Sequence, residues 1–393
     1  MDFTTAKQKE QQYLMPTYGR FNALLTEGKG AQATDADGKT YIDFTSGIGV
    51  NALGFCNDKW LAAVTAQAAK LQHTSNLYYT EPMIQLAEKL CDLTTMDKVF
   101  FCNSGAEANE CAIKLARKYS SDKYRPERTE IITLVNSFHG RTITTLAATG
   151  QDHFHHHFQP FTEGFVYAEA NNLDSVLAAV TENTCGIMVE LVQGEGGVMP
   201  LEPEFVNGVY EFCKENDILF IADEVQTGIG RTGKLFAHEN FGIVPDIFTS
   251  AKGLGGGLPI GACLCSKELG EVLGPGLHGT TYGGNPVVCA GALSVVETVA
   301  DEAFLQEVAR KGTYLKEKLL QMDGVEQVRG MGMMIGIVLS EKAAGAVAAA
   351  CVEQGLLVLT AKTLVRFLPP LNITEDEIDR GLQIFASVLG SEI

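Results

Sequence analysis

The most constraining feature of the sequence is the regular alternation of short apolar runs with longer segments of helical periodicity. The clearest runs span residues 131–135, 186–190, 218–222 and 247–250, and they carry few alternating polar positions. Strands of this composition are covered on both faces, as in a parallel sheet with helices packed against it. Segments 106–119 and 204–215 have the pattern of such helices, and the first carries acidic residues in its opening turns. The alternation therefore predicts an α/β fold with a mainly parallel sheet.

The pattern changes after about residue 290. A helical stretch is followed there by an apolar segment at 330–339, a second helical stretch, and short apolar runs at 356–360 and 363–368. A domain holds roughly 150 residues, so a chain of 393 residues predicts two or three domains. We therefore expect the C-terminal part to form a second, smaller α+β domain.

The charge balance excludes several classes of function. Lysine and arginine total 30 against 48 aspartate and glutamate residues, so the formal net charge is −18. Nucleic-acid binding needs a concentrated positive surface, and the sequence has no basic run, so we expect no nucleic-acid partner. Residues 1–14 lack the apolar core of a signal peptide, and no stretch of about 18 uncharged apolar residues follows. The sequence predicts no membrane segment and a cytoplasmic location.

No metal site is expected. The ten cysteines include no C-x-x-C pair, which favours reduced thiols over disulfides. Cys263 and Cys265 flank one residue of an apolar run, and alternate burial along a strand explains them more simply than a metal does. Histidines crowd residues 153–157 without a cysteine or carboxylate at ligand spacing. We interpret that segment as a surface loop.

A glycine-rich segment offers an alternative from another class of enzyme. Residues 228–233 satisfy the G-x-G-x-x-G fingerprint of dinucleotide-binding proteins, and residues 228–234 match the start of a P-loop. The fingerprint requires a strand that turns directly into a helix, but residues 224–227 intervene, and Pro245 follows before a full helix can form. A P-loop requires Ser or Thr after its lysine, and this chain has Leu235. A plain glycine-rich loop is the better interpretation, and an NAD-dependent dehydrogenase is the alternative.

Two ionisable residues follow predicted strands. Asp223 stands at the carboxyl end of the run 218–222, where open α/β sheets place residues that contact ligands. Lys252 follows the run 247–250 and precedes a glycine-rich turn. A lysine of lowered pKa attacks aldehydes to form a Schiff base, and glycines let a flat ligand approach the backbone. The structural alternatives are a salt-bridged Asp223 and a loop-anchoring Lys252.

Residues 103–109 are a candidate phosphate site. The run 99–102 turns through Gly105 into a helix, and free backbone N–H groups at a helix start attract an anion. Ser104 and Glu107 also have the spacing of a capping box, which is compatible with anion binding. A second hydroxyl cluster at residues 279–286 would contribute to the same phosphate or form a turn.

Two arginines are candidates for binding carboxylates. Arg141 follows the run 131–135, and Arg366 lies in an apolar segment where a charge is costly unless it meets a carboxylate. The guanidinium group suits bidentate carboxylate binding. Each arginine has a structural ion pair as its alternative, but two arginines free of such pairs would suit a substrate with two carboxylates.

Taken together, the motifs resemble those of the class III aminotransferases, which use pyridoxal phosphate. They occur in the family order and span nearly the whole chain: N-S-G-A-E-A-N at 103–109, F-H-G-R at 138–141, Q-G-E-G-G at 193–197, D-E-V-Q-T-G at 223–228, S-A-K at 250–252 and H-G-T-T-Y-G-G-N-P at 278–286. Jointly they are specific, although each one alone is weak. Within the class, residues 38–44 and 366–370 look most similar to the acetylornithine aminotransferases.

The resemblance implies a fold-type I transferase, in which a large domain with a mainly parallel sheet is joined to a smaller α+β domain. It also implies a homodimer with active sites at the subunit interface. The corresponding division of the chain is an N-terminal segment of the small domain at 1–45, a large cofactor-binding domain at 46–290 and a C-terminal small domain at 291–393.

The same resemblance assigns roles to matching residues. Lys252 would bind the cofactor covalently and move the reacting proton, and Asp223 would hold the pyridinium nitrogen. The other cofactor contacts would come from Ser104, Gly105, Ala106, Phe138, Glu224, Val225, Gln226 and, from the neighbouring subunit, Thr281. Substrate contacts would come from Arg141, Glu195, Thr280 and Arg366. Arg366 would take the α-carboxylate of 2-oxoglutarate, and Glu195 would pair with Arg366 while the amino donor is bound.

The implied reaction is transamination of N2-acetyl-L-ornithine with 2-oxoglutarate, giving N-acetyl-L-glutamate 5-semialdehyde and L-glutamate, as in arginine biosynthesis. The ornithine, succinylornithine, succinyl-diaminopimelate and 4-aminobutyrate aminotransferases share these motifs and stay open as alternatives. The chain departs from the common family pattern at residues 54–58 and at Leu191, and neither departure removes a catalytic group.

Overall fold

The structure is a computed structural model, and it describes residues 1–391. The helices are α1 Phe3–Tyr13, α2 Ser46–Gly49, α3 Asp58–Ala68, α4 Glu81–Leu93, α5 Gly105–Lys123, α6 Ile143–Ala148, α7 Leu173–Ala179, α8 Pro203–Glu215, α9 Lys267–Gly270, α10 Pro286–Val299, α11 Glu302–Leu320, α12 Ala344–Gln354 and α13 Glu375–Gly390. Short 3-10 turns span Asp152–Phe154, Ala237–Phe241 and Lys252–Gly255.

The strands are β1 Leu25–Lys29, β2 Gln32–Asp35, β3 Thr40–Asp43, β4 Lys98–Cys102, β5 Glu130–Leu134, β6 Phe165–Ala168, β7 Thr184–Val189, β8 Val192–Gln193, β9 Met199–Pro200, β10 Leu219–Asp223, β11 Ile247–Ser250, β12 Gly261–Cys265, β13 Val325–Met331, β14 Met334–Leu339, β15 Leu356–Leu357, β16 Leu359–Ala361 and β17 Leu364–Phe367. The sheet orders are β4-β12-β11-β10-β7-β5-β6, β1-β2-β3-β15, β13-β14-β17-β16 and β8-β9.

The seven-stranded sheet confirms the predicted α/β fold. Strands β6, β5, β7, β10 and β11 run parallel to one another. Every residue of β7, β10 and β11 is buried. The exception is β12, which runs antiparallel to both β11 and β4. A parallel return requires a crossover of a dozen or more residues, whereas residues 251–260 supply only a loop with one 3-10 turn. That loop carries Lys252.

The parallel strands place the candidate residues on one edge of the sheet. Asp223 is the last residue of β10, and Glu190 directly follows β7. Lys252 lies just beyond β11, separated from it by Ala251. Because the carboxyl ends of parallel strands meet at the same edge, residues far apart in sequence converge there.

The remaining sheets join the two ends of the chain. Strand β15 pairs parallel with β3, so Leu356 lies opposite Ile42. The ring of Phe367, on β17, packs edge-on against Phe44 at 4.9 Å and against Phe385 of α13 at 5.1 Å. These buried aromatic contacts fix β17, the strand that carries Arg366. The domain boundaries proposed at residues 45 and 290 stay a prediction.

The apolar segment 330–339 divides into two parts. Residues 330 and 331 end β13, and β14 returns antiparallel from Met334. Gly332 makes the turn with φ +55°, and a Cβ there would lie 2.5 Å from the Thr232 carbonyl carbon. The segment therefore supplies the turn and the second strand of a hairpin. Glycine is required at the turn because the Thr232 backbone approaches so closely.

The glycine-rich segment after β10 has the predicted plain loop conformation. Residues 225–236 form successive turns and bends, and a short 3-10 turn follows instead of an α-helix. Arg231 is buried in this loop and donates to the carbonyl oxygens of Met333 at 3.2 Å and Pro369 at 2.5 Å. The segment therefore packs against the C-terminal part of the chain and lacks the strand-to-helix turn that a dinucleotide site requires.

Within residues 1–391, no helix combines the length and the apolar composition needed to cross a membrane.

Candidate active site

A cavity of about 430 Å³ opens at the carboxyl edge of the large sheet. The sequence-predicted residues that line it are Gly105, Ala106, Phe138, Arg141, Asp223, Val225, Gln226 and Lys252. They come from the start of α5, the loops after β5 and β10, and the loop between β11 and β12. The fold thus brings a helix start, an acid, a lysine and an aromatic ring to one cavity.

The Asp223 carboxylate is held by a network of buried donors. Its Oδ2 atom accepts from Asn109 Nδ2 at 2.8 Å and from His139 Nδ1 at 2.7 Å, and its Oδ1 atom accepts from the Val225 amide at 3.0 Å. Asn109 in turn accepts from the Thr249 hydroxyl at 2.7 Å. Asp223 is only 3% exposed, so these hydrogen bonds replace the water that the carboxylate loses. They fix the position and orientation of the carboxylate at the cavity.

Lys252 is held in an unusual backbone conformation. It begins the 3-10 turn at φ +46°, in the left-handed region, which costs a non-glycine residue on the order of 1 kcal/mol. Burial is the main cause that lowers the pKa of the Lys252 ammonium, and the nearby Arg366 guanidinium lowers it further. Neighbouring carboxylates, Glu195 above all, raise this pKa but do not outweigh the burial. The lowered pKa increases the share of neutral amine, which is the nucleophilic form.

The start of α5 presents free backbone donors to the cavity. Ser104 caps the helix by accepting from the Glu107 amide at 3.2 Å. The Glu107 carboxylate binds the backbone and side-chain nitrogens of Asn103, at 2.6 and 2.8 Å, so the predicted capping box closes one residue earlier than expected. The amides of Gly105 and Ala106 have no intrahelical partners at this position. They form an anion site at the positive end of the helix dipole.

Arg366 and Glu195 form an ion pair beside this cavity. Arg366 Nη1 lies 2.6 Å from Glu195 Oε1 and 3.3 Å from Gln226 Oε1. Burial alone raises the pKa of Glu195, but the guanidinium outweighs that effect, and the net pKa of the carboxyl lies below its usual range. The Arg366 side chain is 3% exposed, and its Nε has no hydrogen-bond partner within residues 1–391. Arg366 Nε is therefore a buried donor that no described residue satisfies.

Several predicted site residues lie outside the cavity lining. The Glu224 carboxylate points into a turn and accepts from the amides of Ala237 at 2.9 Å and His238 at 2.8 Å. The Thr280 hydroxyl accepts from Asn103 at 3.0 Å. Thr281 lines a separate small depression formed by segments 73–83 and 281–286. One chain by itself therefore does not bring Thr281 to the cavity.

Glu190 and Asn109 are among the cavity residues that had no assigned role in the sequence analysis. Glu190 is buried, and its carboxylate accepts from the amides of Phe138 at 2.8 Å and Gly194 at 3.1 Å. Burial, together with the nearby Asp223 charge, raises the pKa of Glu190 to about 7. Its position at the end of the run 186–190 is a signal that was available in the sequence. Asn109 gave no such signal, because only its contact with Asp223 across the fold reveals its role.

Comparison with known proteins decides the family. The family model described as aminotransferase class-III matches residues 13–389. The chain belongs to the class III aminotransferases.

The relatives of this aminotransferase agree over almost the whole chain. Acetylornithine aminotransferase from Haemophilus ducreyi is 52% identical over 98% of both chains. Acetylornithine aminotransferase from Caldanaerobacter subterraneus is 48% identical, again over 98% of both chains. Among solved structures, N-acetylornithine aminotransferase from Stenotrophomonas maltophilia superposes with a TM-score of 0.84 at 37% identity, covering 97% of both chains. The ornithine aminotransferase from Toxoplasma gondii gives 0.94 at 29% identity, covering 99% of this chain and 94% of that chain.

The aminotransferase is a pyridoxal-phosphate enzyme, as its family is, and the predicted cofactor and enzyme class are confirmed. The cavity residues fit that cofactor. The free amides of Gly105 and Ala106 match a phosphate, and a Cβ on Gly105 would lie 2.6 Å from Val225 Cγ1, so glycine is needed there. Asp223 supplies a fixed negative charge for a protonated ring nitrogen, and the Lys252 amine matches an aldehyde.

Proposed function

We propose that this enzyme transfers the terminal amino group of N2-acetyl-L-ornithine to 2-oxoglutarate, in the cytoplasm, as a step of arginine biosynthesis. The observation that carries the proposal is the unequal state of the two arginines. Arg366 is paired with Glu195 at 2.6 Å, whereas Arg141 makes no ion pair with any residue in 1–391. A donor with one carboxylate needs one free arginine, and an acceptor with two carboxylates needs both. The names of the relatives favour the acetylated donor.

The chain supplies the groups for both halves of this reaction. Bound pyridoxal phosphate supplies an aldehyde that holds the amino group and a ring that withdraws electrons from the reacting carbon. The Asp223 carboxylate would keep a proton on the ring nitrogen. The neutral Lys252 Nζ would take the proton from the substrate carbon that bears the amine. Arg141 would hold the substrate carboxylate and so orient that carbon towards Lys252.

The remaining cofactor contacts are part of the same proposal. Gly105 and Ala106 would bind phosphate through their amides, and Phe138 would lie against the ring. Gln226 would reach the ring hydroxyl, and Ser104 and Val225 would complete the walls. Glu224 would act indirectly, because its carboxylate holds the turn at residues 237–238.

We further propose a homodimer in which Thr281 completes the phosphate site of the partner. Support comes from the apolar surface near the depression that contains Thr281. Leu77 is 87% exposed, Tyr79 is 94% exposed and Tyr282 is 64% exposed. A cluster of exposed large apolar side chains marks an interaction surface.

The visible absorbance spectrum of the purified enzyme tests the proposed donor. N2-acetylornithine, ornithine and 4-aminobutyrate are added in separate cuvettes. All three donors offer a single carboxylate to Arg141 while Glu195 occupies Arg366, but we expect N2-acetylornithine to shift the cofactor band fastest, because the relatives at 48–52% identity are acetylornithine aminotransferases and its neutral acyl group removes the α-ammonium charge that ornithine would place near Arg141. A faster response to another amine would replace the donor and keep the mechanism. Absence of any cofactor band after added pyridoxal phosphate would contradict the proposed roles of the cavity residues.

Glu195→Gln tests the exchange of partners at Arg366. Without the carboxylate, Arg366 stays unpaired when the donor is bound, and we expect kcat/KM for N2-acetylornithine to fall roughly tenfold, about 1.4 kcal/mol. The half-reaction with 2-oxoglutarate should be retained, since it requires Arg366 to be free. Single-turnover spectra of each half-reaction measure the difference. Glu326→Gln, at an exposed position of β13, is the matched control. Two unchanged half-reactions would contradict the role of Glu195.

A further inference from the structure

The histidine-rich segment 153–157 places an aromatic ring against a substrate-binding arginine. The Arg141 Cζ atom lies 4.0 Å from the centroid of the Phe154 ring and 5.3 Å from that of Phe138. The two rings contact each other edge-on, with centroids 5.9 Å apart and planes at 73°. Arg141 therefore lies over a pair of aromatic rings, one of which also lines the cavity.

The contact with the Phe154 ring orients Arg141 without occupying its hydrogen-bond donors. No carboxylate within residues 1–391 lies within 4.0 Å of its guanidinium nitrogens, and the residue is exposed. A ring face attracts a cation electrostatically but accepts few of the in-plane N–H hydrogens. Those hydrogens stay available to bind a carboxylate in the fork geometry that arginine prefers. An ion pair such as the one between Arg366 and Glu195 would compete with the substrate instead.

A histidine contact anchors the loop that presents Phe154. His155 Nε2 donates to the carbonyl oxygens of Leu146 at 3.0 Å and Thr149 at 2.8 Å, at the end of α6. Helix α6 begins two residues after Arg141, where Thr142 caps it. The two ends of one short helix thus hold Arg141 and Phe154 in register. This contact gives the histidine-rich loop a structural role, and no group of three or more His, Cys, Asp or Glu side chains in residues 1–391 is arranged to hold a metal.

We propose that Phe154 is a positioning residue that determines specificity: its ring holds the Arg141 guanidinium in the orientation that receives the substrate carboxylate. The proposal rests on the proposed function in one respect, namely that Arg141 binds a carboxylate of the substrate. It adds that a residue outside the cavity lining sets how strongly carboxylate-bearing substrates are preferred.

Phe154→Leu removes the ring and keeps an apolar side chain of similar length. A cation–π contact at an exposed site contributes roughly 0.5–1 kcal/mol, so we expect KM for N2-acetylornithine and for 2-oxoglutarate to rise about 2- to 5-fold while kcat changes less than about twofold. N-acetyl-1,4-diaminobutane, which has the same terminal amine and no carboxylate, should react equally with both enzymes. Phe154→Tyr keeps the ring and should restore wild-type KM. Phe158→Leu, in the same loop and 53% exposed, is the matched control.

Binding of glutarate gives a readout that does not depend on turnover. Calorimetry on the holoenzyme should show weaker glutarate binding by Phe154→Leu, again by about 2- to 5-fold, and unchanged binding by Phe158→Leu. Equal glutarate affinity in the wild type and Phe154→Leu would overturn the proposal, as would an equal loss with the donor that lacks a carboxylate. If the wild type prefers another donor, the proposed substrate fails, but the glutarate comparison still decides the role of Phe154. The cofactor band and the melting temperature verify that the variants fold.

Discussion

Lys252→Ala is expected to abolish steady-state transamination, with a loss of at least about 10⁴-fold in kcat. The variant loses both the amine that holds the cofactor and the base that moves the proton, and no other lysine lines the cavity within the described chain. Formation of glutamate from 2-oxoglutarate in a coupled assay measures the loss. Borohydride reduction provides a second readout, because it should fix the cofactor to the wild type and leave the variant unlabelled.

Lys234→Ala is the matched control for Lys252→Ala. Lys234 lies in the glycine-rich loop, at the lysine position of the P-loop-like segment, and it is exposed. We expect its removal to leave transamination unchanged within about twofold, as for other exposed substitutions. Activity that survives Lys252→Ala and is lost in Lys234→Ala would contradict the assignment of Lys252.

Asp223→Asn should lower kcat about 10²- to 10³-fold while the fold is kept. An amide cannot stabilise a positive ring nitrogen as a carboxylate does. Asn109 Nδ2 and His139 Nδ1 both donate to Asp223 Oδ2, so only an amide oxygen turned towards them preserves these contacts. Single-turnover rates of the donor half-reaction separate this loss from substrate binding.

Asp217→Asn is the control for Asp223→Asn. Asp217 is exposed just before β10 and has φ +51°, a conformation that asparagine tolerates. We expect wild-type rates for that variant. A kcat for Asp223→Asn within about tenfold of the wild type would exclude Asp223 as the partner of the ring nitrogen.

The strands and the chemistry of the candidate site were largely predictable from local sequence. The run 247–250 coincides with β11. The run 218–222 begins and ends one residue earlier than β10, so Asp223 is the last residue of its strand instead of the first residue after it. These predictions succeed because burial on both faces imposes a continuous apolar composition on each strand. The antiparallel direction of β12 was not predictable in the same way, since it depends on how residues 251–260 cross the edge of the sheet.

The direction of individual side chains was less predictable than their position. Glu224 stands beside Asp223 in sequence, but its carboxylate points away from the cavity and binds the amides of residues 237 and 238. Glu107 has capping-box spacing but reaches Asn103 instead of Ser104. Neighbouring residues at a strand end or helix start diverge because each side chain turns towards the donors that the surrounding fold provides.

The sequence by itself determined the α/β fold, the lysine and acid at strand ends, and the class of chemistry, because hydrophobic periodicity and residue type are local properties. Only the tertiary structure decided how the two arginines differ. Arg366 meets Glu195 across a separation of 171 residues, and Arg141 lies over the Phe154 ring because α6 folds the chain back on itself. Such contacts depend on which segments cross in space, and side-chain electrostatics acts over those few ångströms regardless of distance along the chain.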